Sequence, residues 1–195
     1  NDGRCDRQGR FVFGTLDERP CRDAIGSFYR LNLDLTLERL PLPQIAISNS
    51  ICFSVDGTAM YFCDSMKRAI YRWDDYLGGD ASRVRVFAVL DPGPGAADGA
   101  TIDADDYLWS AQWGAGRVLR FAPDGSVERK VTLPVSQPSC VSLGGPHYDE
   151  LFVTTAQENL TPAQLADEPL AGGLFHARQM GVRGLPEVRF GALPA

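Results

Sequence analysis

Short apolar runs alternate with polar turns along the chain, and one arrangement returns four times. Phe11-Val12-Phe13-Gly14-Thr15, Met60-Tyr61-Phe62-Cys63-Asp64, Leu108-Trp109-Ser110-Ala111-Gln112 and Leu151-Phe152-Val153-Thr154-Thr155 are strand-like runs. The first three follow the polar turns Asp6-Arg7-Gln8-Gly9, Ser54-Val55-Asp56-Gly57 and Asp103-Ala104-Asp105-Asp106, and the fourth follows Gly144-Gly145-Pro146-His147-Tyr148-Asp149. Their spacing is about 49, 48 and 43 residues, the range of propeller blades. A second set trails the first: Gly26 to Leu31, Arg68 to Trp73, Gly116 to Phe121 and Gly172 to Ala177. Each repeat therefore carries at least two strands, as four-stranded antiparallel blades around a channel require. The expected fold is all-β, a β-propeller segment of about four blades over residues 1–195 with no internal linker.

Helical signals are few. Thr161-Pro162 through Glu168, stopped by Pro169, predicts one short helix with Thr161 as N-cap. Leu31 to Leu37 alternates and precedes Pro41 and Pro43, which predicts an outer edge strand. Asn1-Asp2-Gly3 reads as a turn. The chain opens there without an initiator Met or a leader, as a protein cut at a blade boundary would.

Composition narrows the function. The formal net charge is −6 and no basic stripe appears, which argues against nucleic acid as a partner. Arg117, Arg120, Arg129 and Lys130 are dispersed and read as solvated faces. No apolar run has the roughly 18 residues of a membrane span, so no membrane partner is expected. Five cysteines, odd in number and widely spaced, fit reduced thiols and a cytoplasmic location; Cys52 and Cys63 read as small core residues. His147 and His176 belong to no catalytic motif and read as structural. Trp73 and Trp109 read as inter-blade packing, and Trp113 as packing or channel lining.

Candidate chemistry emerges when polar residues are laid on the repeat. Asn1, Asn49 and Asp98 precede the first three strand runs by about ten residues each, in step with the period. Each alone is a common turn former. Together, at one phase of successive blades, they predict three oxygen-bearing side chains at the channel mouth, the donors a hard divalent cation takes. The fourth repeat has Pro138-Ser139-Cys140 there and supplies wall rather than ligand.

These residues resemble a known family. Asn1-Asp2-Gly3, Ile47-Ser48-Asn49, Asp98 to Asp103, Leu108-Trp109, Gly116-Arg117-Val118, Leu133-Pro134-Val135 and Gly172 to Phe175 are together similar to the regucalcin/gluconolactonase/luciferin-regenerating-enzyme family, across essentially the whole chain. The resemblance implies a six-bladed propeller with one divalent cation (calcium, zinc or manganese) and hydrolysis of a small sugar lactone. It implies Asn49 and Asp98 as metal ligands, Asp98 also as proton donor and acceptor, and Asn1 as a substrate contact. The family's first-blade Glu ligand and a substrate-binding Arg fall upstream of residue 1, and about two blades are missing from that side. Ser50 stands where relatives often carry Gly. Asp17 and Glu18 are the nearest candidates for an acidic substrate contact. With one carboxylate left among the ligands, weak cation binding and impaired hydrolysis are expected. Open blade edges would favour self-association. A calcium-binding scaffold without turnover, or a phosphotriesterase-like hydrolase on the same fold, would use the same ligands.

Overall fold

Both recurring sets of apolar runs become strands of antiparallel sheets, central in the first three sheets, while in the fourth the second set supplies the edge. The structure, a computed structural model, describes residues 1–191. The first sheet follows chain order through β1 (Gly3–Cys5), β2 (Phe11–Gly14), β3 (Phe28–Leu31) and β4 (Leu37–Arg39). The second is β5 (Ser48–Phe53), β6 (Met60–Asp64), β7 (Ala69–Trp73) and β8 (Val84–Val89). The third is β9 (Ala96–Ile102), β10 (Leu108–Trp113), β11 (Arg117–Phe121) and β12 (Val127–Thr132). The fourth has β13 (Pro138–Gly144), β14 (Glu150–Thr155) and β15 (Leu174–Ala177). Helix α1 (Pro162–Asp167) lies between β14 and β15 and has the expected capping box, Thr161 with Gln164.

The polar turns recur because one geometry recurs. Asp6 Oδ1 accepts from the N–H groups of Gln8 (3.0 Å) and Arg10 (2.9 Å). Asp103 Oδ1 does the same for Asp105 and Tyr107, both at 3.0 Å. Ser54 Oγ accepts from Ala59 N at 3.0 Å. Three residues into each turn the backbone is left-handed, at Gly9 (φ 77°), Gly57 (φ 72°) and Asp106 (φ 62°).

The contacts divide the chain into two compact units. One comprises Asn1–Leu90 with residues 186–191, and the other Asp91–Leu185. The first has an aromatic core: Phe28 meets Phe62 edge-on at 5.0 Å, and Trp73 meets Tyr76 at 5.5 Å. The second packs Val118, Val141, Leu151 and Val153 around buried Trp109. Each fully buried Phe, Ile or Leu contributes about 2 kcal/mol. Trp73 and Trp109 thus pack within cores as expected, while Trp113 is half-buried.

Three expectations are corrected. Leu31 to Leu37 is not a strand throughout: residues 32–36 form the turn between β3 and β4, with Leu35 at φ 66°. Asp34 accepts from Thr36 N (3.0 Å) and Asn32 donates to Thr36 Oγ1 (3.1 Å), and these local bonds override the alternation. Asn1-Asp2-Gly3 lies along β2 rather than turning: the Asn1 ammonium donates to Gly14 O (2.7 Å) and Gly14 N donates to Asp2 O (3.0 Å). Arg120 is not solvated but 6% exposed. Its guanidinium donates to Asp103 Oδ2 (2.8 Å) and Glu128 Oε2 (3.1 Å) and lies over the Tyr107 ring, so the charge is buried because it is paired.

Candidate functional site

Strand register gives the candidate residues a common position. Ser48–Cys52 lies opposite Tyr61–Asp64, five residues against four, so β5 carries a bulge. Ala97–Thr101 lies in the same way opposite Trp109–Gln112, and Pro138–Ser142 opposite Phe152–Thr155. The second residue of each stretch is Asn49, Asp98 and Ser139. In the first sheet Arg4 faces Val12, which makes Asn1 the equivalent residue. A bulge re-aims a side chain that a regular strand would place elsewhere. The spacing seen in the sequence is thus a shared register position, beside the bulge at Asn49 and within it at Asp98, with Ser139 as its fourth occupant.

Within the first unit the structure brings Asn1 and Asn49 together. Asn1 Nδ2 donates to Ser48 O (2.6 Å) and to Asn49 Oδ1 (2.9 Å). Asn49 is 7% exposed, and its Nδ2 donates to Ser65 Oγ at 2.9 Å. The carboxylate of Asp2 serves the same bulge: Oδ2 accepts from Ile51 N and Oδ1 from Gly3 N, both at 2.8 Å. Burial raises the Asp2 pKa above the ordinary aspartate value, against the lowering effect of these N–H groups. Ser50 sits at φ 57°, a left-handed conformation that glycine adopts without strain.

Asp98 belongs to the second unit, half-buried on β9 between buried Ala97 and Gly99. A Cβ on Gly99 would come within 2.8 Å of the Cys140 Cα, so the residue after Asp98 must be small. The donors offered by Asn49 and Asp98 are a carboxamide and a carboxylate, oxygen ligands that suit a hard divalent cation.

The acidic alternatives lie elsewhere in the first unit. Asp17 is buried, and its carboxylate accepts from Arg19 Nε (2.9 Å) and Nη2 (3.0 Å) and from Asp23 N (2.7 Å). The Arg19 bonds hold it well below the usual carboxylate range. Asp17, Cys21 and Asp23 stand close enough to surround an ion, but Arg19 already pairs with both carboxylates, reaching Asp23 at 3.0 Å. Glu18 is exposed. His147 is exposed in its turn, whereas His176 bonds Glu150 and stacks on Phe152 at 4.5 Å. All five cysteines are free, and burial pushes the Cys52 thiol up. Among the described residues, no helix is long and apolar enough to cross a membrane.

Sequence reasoning missed Ser65 and Asp2. Neither stands at a repeat position that suggests chemistry by residue type.

The chain is similar to known proteins. The chain is 51% identical over 196 residues to the L-arabinolactonase of Azospirillum brasilense, covering 100% of this chain and 64% of that protein. It is 34% identical to the regucalcin of Sus scrofa, covering 95% of this chain and 64% of the relative. The chain therefore spans a little under two thirds of the length of the curated relatives it matches. The solved structure of a calcium-binding protein, regucalcin, from Agrobacterium tumefaciens superposes with a TM-score of 0.89 at 31% identity, over 98% of this chain and 64% of that one. The fold is accordingly all-β, with four blades of the regucalcin-type β-propeller. The family profile described as "SMP-30/Gluconolactonase/LRE-like region" matches residues 1–157, and the chain belongs to that family.

Proposed function

We propose that this chain carries part of a sugar-lactone hydrolase that depends on a divalent cation (calcium, zinc or manganese). The observation that carries this reading is the Asn1–Asn49 bond, which joins the residues assigned to substrate and to metal by family resemblance. Identity to an L-arabinolactonase favours an aldonolactone as substrate. Residues 1–195 act here as a single propeller segment, in a cytoplasmic protein whose five free thiols suit a reducing compartment. Small-molecule lactone is the partner, and the negative net charge disfavours nucleic acid.

Asn49 Oδ1 and the Asp98 carboxylate are the residues that would hold the cation. When bound, such a cation polarises a carbonyl and acidifies water. Asp98 takes the proton of the attacking water as hydroxide adds to the lactone carbonyl carbon. It returns that proton to the ring oxygen as the ring C–O bond breaks, which leaves an open hydroxy acid. Asn1 orients the substrate beside Asn49. The assigned set has a single carboxylate, so cation affinity is low and turnover by this chain is slow.

The test follows acid release from L-arabino-1,4-lactone and glucono-1,5-lactone, with each cation and with chelator. Asp98→Ala should lower turnover about 100-fold or more. Equal turnover by the Asp98→Ala chain would overturn the assignment. Sub-micromolar cation affinity with rapid hydrolysis would contradict the impaired reading.

A further inference from the structure

The bonds around Asn49 form a relay whose direction is forced from one end. Ser48 O is a carbonyl and can only accept, so the end of Asn1 at 2.6 Å from it must be the amide nitrogen. That same nitrogen faces Asn49 at 2.9 Å, so the Asn49 atom there must be the oxygen. The other end of the Asn49 carboxamide is then its NH2 group, and the hydroxyl at 2.9 Å from it, Ser65 Oγ, must accept. The turn that carries Ser65 is itself pinned. Ser65 N donates to Ile47 O at 3.0 Å, and buried Asp64 accepts from Ala46 N (3.0 Å), Ile47 N (3.2 Å) and Met66 N (3.1 Å). Ser65 is thus held against the segment that leads into Ser48 and Asn49.

We infer that Ser65 is a positioning residue that fixes the Asn49 carboxamide through its nitrogen and so presents the oxygen as the donor atom. The geometry stands alone, whereas its consequence for cation binding rests on the proposed function. Only the oxygen of a carboxamide ligates a hard cation. The terminal torsion of Asn is broad, so an amide anchored at one end turns readily. Without Ser65, the anchor left to the carboxamide among the described residues is Asn1, which is exposed. A hydroxyl is needed and its exact host is not, so threonine can replace serine here and alanine cannot.

The experiment uses the isotope-labelled chain. The Asn1 and Asn49 carboxamide signals are assigned by deleting each residue in turn. Ser65→Ala should move the Asn49 signals and speed their solvent exchange about fivefold, the effect of losing one hydrogen bond. Ser65→Thr should restore both. Should the alanine variant not fold, Ser65→Cys keeps the shape, offers only a weak acceptor, and is read in the same way. Unchanged Asn49 signals in Ser65→Ala, or in Ser65→Cys, would overturn the inference. Calorimetric titration with calcium, zinc and manganese reads the consequence: Ser65→Ala should bind about tenfold more weakly, and equal affinity would overturn it. If the wild-type chain binds none of these ions, the proposed function fails, and the carboxamide signals alone decide the role of Ser65.

Discussion

The bulges of β5 and β9 occupy one register and are built by different means. In β5 the residue after Asn49 is Ser50, held left-handed at φ 57°, and the spare N–H of Ile51 is taken by the carboxylate of Asp2. In β9 the residue after Asp98 is Gly99, whose φ is not left-handed. Its smallness answers Cys140, which leaves no room for a Cβ. Glycine at a bulge can therefore serve backbone conformation or close packing, and in β9 packing decides. The same position tolerates serine in β5 because the strain is local and modest, whereas the β9 approach involves backbone that cannot move aside.

The strongest way to break this comparison is to enlarge Gly99. Gly99→Val should cost about 3 kcal/mol in urea unfolding, because the new side chain meets Cys140 Sγ, Cβ and Cα. Full stability in that variant would show that packing does not set the residue. Cys140→Ala in the Gly99→Val background should recover only about 1 kcal/mol, since the Cβ and Cα of residue 140 remain in the way.

A second probe is the Asp2 clasp. Its folded pKa is raised, so the folded state holds the Asp2 proton more tightly than the unfolded chain does. That contribution to stability is complete below the unfolded carboxylate value and declines as pH rises through the raised folded one. Asp2→Asn should flatten the melting temperature between acid and neutral pH. An unaltered pH profile would show that the carboxylate titrates as if exposed. The smallest effect is expected of Ser50→Gly, which relieves the left-handed strain but loses the Cys63–Ser50 contact at 3.4 Å. The net gain should be about 0.5 kcal/mol by urea midpoint. A loss of stability there would mean that the Ser50 hydroxyl outweighs the backbone term.

Much of the fold could be read from the residues. Met60–Asp64 was delimited to the residue, and Thr161, Pro162 and Pro169 marked the helix, because a continuous apolar run after a polar turn and helix capping are both written in adjacent positions. Leu31 to Leu37 misled because its alternation is real while Asn32, Asp34 and Thr36 bond among themselves into a turn. Arg120 misled because its partner Asp103 is 17 residues away, in a different strand pairing. At the site, the phase of Asn1, Asn49 and Asp98 was legible as a period, but the bulge that gives this phase its meaning was not.

The order of residues by itself determined the repeat, the two recurring strands of each blade, the family and which side chains share a blade position, since all of these follow from periodicity along the backbone. Tertiary structure alone decided which end of each carboxamide faces which neighbour, that Asp2 caps a bulge in another sheet, and that Arg120 lies inside. The physical reason is that hydrogen-bond direction and the cost of burying a charge depend on partners in space. Asn1 and the Ser48 carbonyl that orients it are 47 positions apart, and no local pattern records their meeting.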